Sequence, residues 1–385
     1  MTPWPKYSAA EIKAVSDVLK SGKVNYLFGD IGKKFEEEFA AFVGTNHALA
    51  LANGTLALDI ALRAIGITHR DEVIVTPRSY IASVSSVSLL GGIPKFVDID
   101  FNSQNITAES IKTAITKKTK AIICVHLAGM PCEMDPIMKL AKKHNLKVIE
   151  DCAQAHGASY KGKSVGSIGH IGTWSFCNDK IMTLGGEGGM ITTNSKKYID
   201  FAISFNNHGK NFNKIARAKN NIPKFRYIHD FIGSNYRMTE MQAAIGRIQL
   251  KKISNWRKIR EKNADIIFKS LADMPIVNIP SIKPYLNHAF YKCYLTINKD
   301  CLKKGWSRDR IIFEINKLGV RCFSGSCPEI YLEKIYKNLN VPRLANSKKL
   351  GEESLMFEVH PGLTKVEMQL TQSVIRSVLT QASLA

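Results

Sequence analysis

The stretch "WSFCNDKIMTLGGEGGMITTN", residues Trp174–Asn194, carries one lysine, Lys180, shortly before a cluster of glycines at 185, 186, 188 and 189. Apolar and β-branched residues lie on either side of these glycines, and this pattern predicts two short strands joined by a loop. The chemistry of a single lysine in such a loop indicates what the protein does.

Upstream of this stretch, apolar segments alternate with amphipathic ones. The apolar segments, each predicted to be a strand, are 47–52, 72–77, 94–100, 120–129 and 146–153. The segments between them have the apolar spacing of helices, and the motif Ser8-x-x-Glu11 predicts a capping box at the start of the first helix. Apolar strands separated by amphipathic helices are typical of a parallel sheet covered on both faces, so the predicted fold class is α/β.

The chain of 385 residues is longer than one hydrophobic core usually serves. A second capping box, Thr239-x-x-Gln242, predicts a long helix that leads to another domain. Beyond about residue 285 short strands and helices are mixed, which indicates a smaller α+β unit. We therefore predict a large α/β domain over residues 1–250 and a small domain over residues 251–385, with the N-terminal helix packing on the small one.

The chain has 54 Lys and Arg residues against 33 Asp and Glu residues, a formal net charge of +21 at pH 7. An excess of this size favours anionic partners through long-range attraction. The basic residues are dispersed in short pairs, and the sequence has no zinc-finger spacing, basic-zipper region or aromatic RNA-binding signature. We expect no specific nucleic-acid partner; binding driven by charge alone would weaken steeply with salt.

Apolar runs such as "AIICVHLAG" are far too short to span a bilayer, and the N-terminus has no signal-peptide pattern. These features predict a soluble cytoplasmic protein without a membrane span. The eight cysteines are scattered with no CxxC pair, which favours buried reduced thiols over disulfides or a zinc site. We expect no metal.

Candidate ligand-binding residues follow the predicted strands, because open α/β sheets bind ligands at the carboxyl ends of their strands. Gly54 and Thr55 begin a helix whose free N–H groups favour a phosphate, and Tyr80 could present a flat ring. Asp151 ends an apolar strand, and a buried carboxylate there needs a cationic partner, for which Lys180 is a candidate. A lysine in such a site can also form a Schiff base with a carbonyl group. Together these residues predict a pyridoxal phosphate site, with Asp151 on the pyridine nitrogen and Lys180 on the aldehyde.

The segments "EDCAQAHGASYKGKSVGSIG" and "SFCNDKIMTLGGEGGMITTN" resemble the DegT/DnrJ/EryC1/StrS family of nucleotide-sugar aminotransferases, within the fold type I pyridoxal phosphate enzymes. The resemblance covers nearly the whole chain, from "LKSGKVNYLFGDIGKKFEEEFAAFVG" to "VHPGLT". It implies a large, mostly parallel sheet flanked by helices, a smaller C-terminal α+β domain, and a homodimer with shared active sites.

The resemblance assigns roles to individual residues. It makes Lys180 the lysine that binds the cofactor covalently, so that the glycines after it let the backbone pass close to cofactor and substrate. The other cofactor-binding residues that it implies are Asp151 at the pyridine nitrogen, Gln154 near the 3-oxygen, Tyr80 against the ring, and Gly54, Thr55 and Ser175 at the phosphate, with Asn235 reaching in from the neighbouring subunit. His170 and Cys177 depart from the common family pattern, and we expect a structural role for the first and a packed, non-nucleophilic thiol for the second.

The reaction that the resemblance implies is a ping-pong transamination. L-Glutamate gives its amino group to the cofactor, with the freed Lys180 as general base, and leaves as 2-oxoglutarate; a keto sugar on a nucleoside diphosphate then accepts the amino group. The implied product is an amino sugar for a surface polysaccharide such as the O-antigen of lipopolysaccharide. Arg237 and His208 are candidates for binding donor or sugar, and the segments 207–224 and 323–336 are expected to shape the sugar pocket.

Three alternatives remain at this stage. A sugar dehydratase of the same fold would carry histidine in place of Lys180, and an inactive regulatory relative would have lost Lys180 or Asp151; both residues are present. The amino sugar could also decorate a secondary metabolite.

Overall fold

A sheet of seven strands lies at the centre of the protein. The structure is a computed structural model, and it describes residues 1–217 and 228–384. The first eleven strands of the described chain, in chain order, are β1 (His47–Leu51), β2 (Glu72–Val75), β3 (Ile93–Phe96), β4 (Thr119–Val125), β5 (Lys147–Asp151), β6 (Ser159–Tyr160), β7 (Lys163–Ser164), β8 (Ile171–Ser175), β9 (Gly189–Thr193), β10 (Val277–Asn278) and β11 (Leu286–Asn287). Strands β6, β7 and β11 form a short sheet of their own, and β10 belongs to a third sheet described below. The strand order is β1-β9-β8-β5-β4-β2-β3, and β9 alone of the seven runs against its neighbours. The predicted α/β class with a mostly parallel sheet is confirmed.

Helices cover both faces of this sheet. The helices of the described chain are α1 (Ala9–Ser21), α2 (Ile31–Val43), α3 (Gly54–Ala64), α4 (Ala82–Leu89), α5 (Ala108–Ala114), α6 (Met134–Lys143), α7 (Lys196–Phe205), α8 (Phe212–Arg217), α9 (Glu240–Leu250), α10 (Ile253–Leu271), α11 (Arg308–Lys317), α12 (Ala345–Glu353) and α13 (Lys365–Ala382). None of them is long and apolar enough to cross a membrane.

Successive residues of the central strands enter different cores, as the alternation of side chains in a strand requires. Val73 and Val75 of β2 pack with α3 and α4 in one core, whereas Ile74 packs with α5 and α6 in another. Strand β4 divides in the same way, with Ile123 on the first side and Ile122 on the second. This double coverage explains why the strands read as continuous apolar runs.

The C-terminal part of the chain builds an antiparallel sheet of its own. Its strands are β10, β12 (Cys293–Ile297), β13 (Cys322–Phe323) and β14 (Ser354–Phe357), in the order β10-β12-β14-β13. Helices α10, α11 and α13 pack on it around a separate core. The boundary at residue 250 stays a prediction, but these elements have the α+β character expected of a small domain.

Two details of the helices differ from the sequence-based expectation. The long helix expected from Thr239 is two helices, because the Lys252 N–H bonds to the Gln249 carbonyl only three residues back (2.8 Å), which tightens the last turn of α9. Helix α1 packs against α9 rather than on the small sheet. The segment before α1 does contact the C-terminal elements, since Trp4 lies edge-on to Trp256 of α10.

Candidate active site

The carboxyl ends of β5 and β8 meet the start of α3 at one edge of the central sheet. Asp151 is the last residue of β5, Ser175 is the last residue of β8, and Gly54 is the first residue of α3. Lys180 lies in the loop 176–188, which leaves β8 at this edge and returns as β9. The structure therefore brings together residues that the sequence placed far apart.

The start of α3 is pressed against the end of β8. A Cβ atom on Gly54 would lie 2.5 Å from the Ser175 Cβ, and one on Gly189 would lie 2.2 Å from the Asn53 carbonyl oxygen, so both positions require glycine. The Asn53 side chain caps the helix by accepting the Leu56 N–H (3.0 Å). Among the described residues nothing accepts the backbone N–H groups of Gly54 and Thr55, which leaves two donors for an anion at the positive end of the helix dipole.

Asp151 is 5% exposed and has no cationic partner among the described residues. Its Oδ2 accepts the Ser83 hydroxyl (2.7 Å) and its Oδ1 accepts the Ala153 N–H (3.1 Å). The structure does not pair Lys180 with this carboxylate, and the expected roles of Asp151 at the pyridine nitrogen and of Lys180 at the aldehyde stay predictions. Two neutral donors stabilise the buried carboxylate instead, since hydrogen bonds to an ionised group are strong.

The side chain of Glu150, the neighbour of Asp151 in β5, lies on the opposite face of the strand and is fully buried. Burial alone would raise its pKa, but bonds from His126 Nε2 (3.0 Å) and from the N–H groups of Gly166 and Gly169 hold the pKa below its ordinary value. His126 Nδ1 accepts the Cys132 N–H (3.0 Å), which places the ring hydrogen on Nε2.

His126 and Glu150 also lie with Cys152 in a group of the described residues whose potential ligand atoms are within 4.8 Å of one another. Their hydrogen bonds explain the arrangement as a buried structural network. Sequence reasoning assigned no role to Glu150, because the partners of its side chain come from two separate segments, residue 126 and residues 166–169.

Lys180 is half-buried in a loop that is held by distant segments. Its Nζ lies 4.9 Å from the centre of the Tyr291 ring, and its backbone carbonyl accepts the Trp4 indole N–H (2.8 Å). Tyr291 in turn bonds through its hydroxyl to the Asp179 carboxylate. The Tyr7 hydroxyl accepts the Gly185 N–H (3.1 Å), so the N-terminus contacts the loop at two points. Sequence reasoning missed Trp4, Tyr7 and Tyr291.

Gln154 and Tyr80 lie at the same edge of the sheet. The Gln154 Oε1 accepts the Ala128 N–H (2.7 Å) just beyond β4, which fixes the side chain at the same edge of the sheet. The Tyr80 side chain is 69% exposed, so one face of its ring is available for stacking. The segment 323–336 reaches this turn, because the Cys327 carbonyl accepts the Ser79 N–H (3.2 Å).

The remaining candidates lie in the segment that precedes α9. Asn235 is exposed, and its side chain accepts only the Arg237 N–H (3.3 Å) among the described residues. Arg237 donates to the Asn207 side chain (3.1 Å), and His208 is exposed at a positive φ of 62°. Residues 218–224 of the segment expected to shape the sugar pocket lie outside the described residues.

His170 and Cys177 have the structural character expected of them. The Nδ1 of His170 accepts the Val148 N–H (3.0 Å), and burial lowers the pKa of its ring. Burial raises the pKa of the Cys177 thiol, which makes it a poor nucleophile at neutral pH.

Comparisons with known proteins agree with this geometry. A model of the DegT/DnrJ/EryC1/StrS aminotransferase family matches residues 5–378. GDP-perosamine synthase of Caulobacter vibrioides is 37% identical over 347 residues, which cover 90% of this chain and 89% of that protein. The UDP-N-acetyl-3-dehydro-α-D-glucosamine 3-aminotransferase of Acidithiobacillus ferrooxidans is 32% identical over 355 residues, 92% of this chain and 90% of that protein. The solved structure of an aminotransferase from Psychrobacter cryohalolentis is 51% identical, has a TM-score of 0.96 and covers 99% of this chain and 99% of that chain.

Proposed function

Because the chain belongs to the DegT/DnrJ/EryC1/StrS aminotransferase family, we propose that it moves an amino group from L-glutamate to a keto sugar carried on a nucleoside diphosphate, with pyridoxal 5′-phosphate as cofactor. The observation that carries the proposal is the meeting of Asp151, the Lys180 loop and the Gly54–Ser175 contact at one edge of the sheet. The two relatives act, by name, on sugars of different nucleotides, so the proposal names the class of acceptor and not one sugar.

The residues present fit the cofactor. Gly54 and Thr55 offer free N–H donors, Ser175 offers a hydroxyl beside them, and Asp151 offers an ionised carboxylate for a protonated pyridine nitrogen. The exposed ring of Tyr80 offers a stacking surface. When bound, pyridoxal phosphate supplies a carbonyl for covalent attachment and a ring that withdraws electrons.

Lys180 has two tasks in the proposed reaction. Its amine would hold the cofactor covalently through the aldehyde carbon, and the same amine, when free, would act as general base towards the donor α-carbon. The N-terminus and Tyr291 hold its loop, so the amine is positioned before the donor arrives. The dehydratase alternative would place a histidine at position 180, and this chain has a lysine there.

A homodimer with shared sites belongs to the proposal. Asn235 is exposed in the single chain, and Ile232, three residues before it, is 94% exposed. Phe28 is a further large apolar side chain at the surface, 77% exposed. Exposed apolar side chains of this size favour an interface, and a partner chain that covers them would bring its Asn235 to the phosphate.

The proposed setting is the cytoplasm, where the product would serve a surface polysaccharide such as the O-antigen of lipopolysaccharide. The name of the Caulobacter vibrioides relative, a synthase of a nucleotide-linked amino sugar, supports an amino-sugar product.

Absorption spectroscopy tests the proposal. The purified chain with pyridoxal phosphate should show a visible band that L-glutamate bleaches, and one member of a panel of GDP-, dTDP- and UDP-linked keto sugars should restore it. Lys180→Ala should lack the covalent band, and Lys180→Arg, which keeps the charge but cannot attach the aldehyde, should lack it too. A band that no amino donor moves, or one that survives both substitutions, would contradict the proposal.

A further inference from the structure

Two serine hydroxyls stand in line behind Asp151. The Ser83 Oγ lies 2.7 Å from Asp151 Oδ2, and the Ser79 Oγ lies 2.9 Å from the Ser83 Oγ. All three side chains are buried. The hydroxyls are therefore shielded from water; Ser83 acts on the carboxylate directly, and Ser79 acts through Ser83.

The direction of this chain follows from the chemistry of its last member. An ionised carboxylate only accepts hydrogen bonds, so Ser83 donates to Asp151. A hydroxyl has a single hydrogen, so Ser83 accepts from Ser79 in the bond between them. Both hydroxyl dipoles then point towards the carboxylate, and each bond in such a chain polarises the next.

The hydroxyl chain and the backbone together fix the plane of the carboxylate. Ser83 holds Oδ2 and the Ala153 N–H holds Oδ1, so neither oxygen can rotate away without losing a bond. A carboxylate oxygen can accept more than one hydrogen bond, and the carboxylate keeps capacity for a pyridinium N–H. Without Ser83 the buried Oδ2 would lose the only donor that the described residues give it.

One turn of the chain supplies both serines and the proposed stacking ring. Ser79, Tyr80 and Ser83 follow β2, and the Ser83 N–H bonds to the Tyr80 carbonyl (3.2 Å). The Ser79 N–H bonds to the Cys327 carbonyl (3.2 Å), which anchors the turn to the C-terminal part of the chain. The position of the ring and the orientation of the carboxylate are thus set by the same short segment.

We infer that Ser83, polarised by Ser79, is a positioning residue that holds the Asp151 carboxylate oriented towards the pyridine nitrogen of the cofactor. The inference rests on the proposed function, because it concerns the same site. Ser83 acts through Asp151 and has no contact with the reacting atoms.

The chain offers a matched control. Ser86 lies one turn further along α4 and is also buried, but its hydroxyl has no hydrogen-bond partner among the described residues. Ser86→Ala therefore removes the same atom from the same helix without touching Asp151. Ser83→Thr keeps the hydroxyl and serves as the conservative variant.

The test is a titration of each apo-protein with pyridoxal phosphate, followed by absorption, with the rate of bleaching at saturating L-glutamate as a second readout. We expect Ser83→Ala to bind the cofactor about tenfold more weakly, as the loss of one hydrogen bond to a charged group predicts. Its bleaching rate should fall while the glutamate concentration at half-maximal rate stays unchanged. Ser83→Thr should restore both values, and Ser86→Ala should match the native chain.

Equal cofactor affinity in Ser83→Ala and Ser86→Ala would overturn the inference and leave the proposed function intact. A native chain that shows no band with pyridoxal phosphate would overturn both. If Ser83→Ala does not fold, Ser79→Ala removes only the polarising hydroxyl, and an affinity equal to that of the native chain would again overturn the inference.

Discussion

The space around Gly54 admits no side chain, and this makes it the most restrictive residue of the proposed phosphate site. A Cβ atom there would also lie 3.1 Å from the Ser175 Cα, so the helix start cannot relax by moving one flexible side chain. We expect Gly54→Ala to destabilise the fold by about 1–3 kcal/mol, the usual cost of overpacking, and to weaken pyridoxal phosphate binding. Thermal unfolding and a cofactor titration measure the two effects. The double variant Gly54→Ala with Ser175→Gly should recover part of the stability, and no recovery would show that the contact is not the cause.

His156 is a buried residue whose two ring nitrogens have no hydrogen-bond partner among the described residues. Burial lowers the pKa of its ring from 6.5 to about 3, so the unfolded chain binds a proton between pH 6.5 and about 3 that the folded chain does not. Stability therefore rises with pH across that window, by up to about 1.4 kcal/mol per pH unit from this residue.

Replacement of His156 by leucine tests that pH dependence. The variant should be less sensitive to acid than the native chain, because an apolar side chain among Trp174 and Phe176 takes up no proton on unfolding. The melting temperature of both proteins between pH 4 and pH 7 measures the difference. Parallel curves for the two proteins would mean that His156 carries no share of the pH dependence.

The residues that sequence reasoning identified are those with a local signal. Gly54 and Asp151 stand at the ends of predicted elements, where an α/β sheet binds its ligand, whereas Ser175 was implied only by the family resemblance. Ser83 has no such signal, because its partner Asp151 is 68 residues away in the chain. Lys180 was a candidate partner for Asp151 on local grounds, but in the structure the carboxylate accepts a hydroxyl from a turn that no local pattern connects to it.

Among the elements, the N-terminal segment, residues 2–8, has the most direct consequence for the site. Trp4 is held between the edge of Trp256 and the ring of His360, and its indole N–H bonds to the Lys180 carbonyl. The Tyr7 hydroxyl holds Gly185 further along the same loop. The segment therefore holds the Lys180 loop in place from outside the sheet, and we call these two hydrogen bonds the N-terminal brace.

The substitution Trp4→Phe tests this brace, since it keeps an aromatic ring but removes the bond to the loop. We expect a loss of about 1 kcal/mol in stability, the usual worth of one hydrogen bond, and a slower attachment of pyridoxal phosphate to Lys180. Stopped-flow absorption measures the attachment rate. Trp256→Phe disturbs the same ring contact and leaves the bond to Lys180 in place, so an equal slowing in both variants would contradict the brace.

Local sequence patterns predict which helices and strands form more reliably than they predict where each one ends. The capping boxes Ser8-x-x-Glu11 and Thr239-x-x-Gln242 are where the sequence predicted them, since a cap needs only four neighbouring residues. The strand expected over 94–100 ends at Phe96, because its neighbour β2 ends at Val75, the residue that pairs with Phe96. Pairing is a tertiary property that a periodic pattern does not contain.

For the whole molecule, the sequence indicated the division into a mostly parallel sheet and a smaller antiparallel one, since the change from regular alternation to mixed elements is visible in the pattern. The contacts that join the two parts were not visible. Arg78, fully buried at the end of β2, donates to Ser354 of β14, 276 positions later in the chain. Such contacts arise only when the folded parts meet, which is why the sequence predicted the layers but not their junction.

The shared active site is the property of the whole molecule that can be tested most directly. In the proposed dimer each site combines Lys180 of one chain with Asn235 of the other, so Lys180→Ala and Asn235→Ala damage different halves of it. Asn235 is exposed in the single chain, and its loss should not affect folding.

When the two purified variants are mixed and allowed to exchange subunits, half of the dimers are mixed, and one of the two sites in each mixed dimer is intact. Transaminase activity should therefore rise from near zero to about a quarter of the native value. Activity that does not rise, while an affinity tag on one variant co-purifies the other and so shows that subunits have exchanged, would mean that each chain builds its site alone.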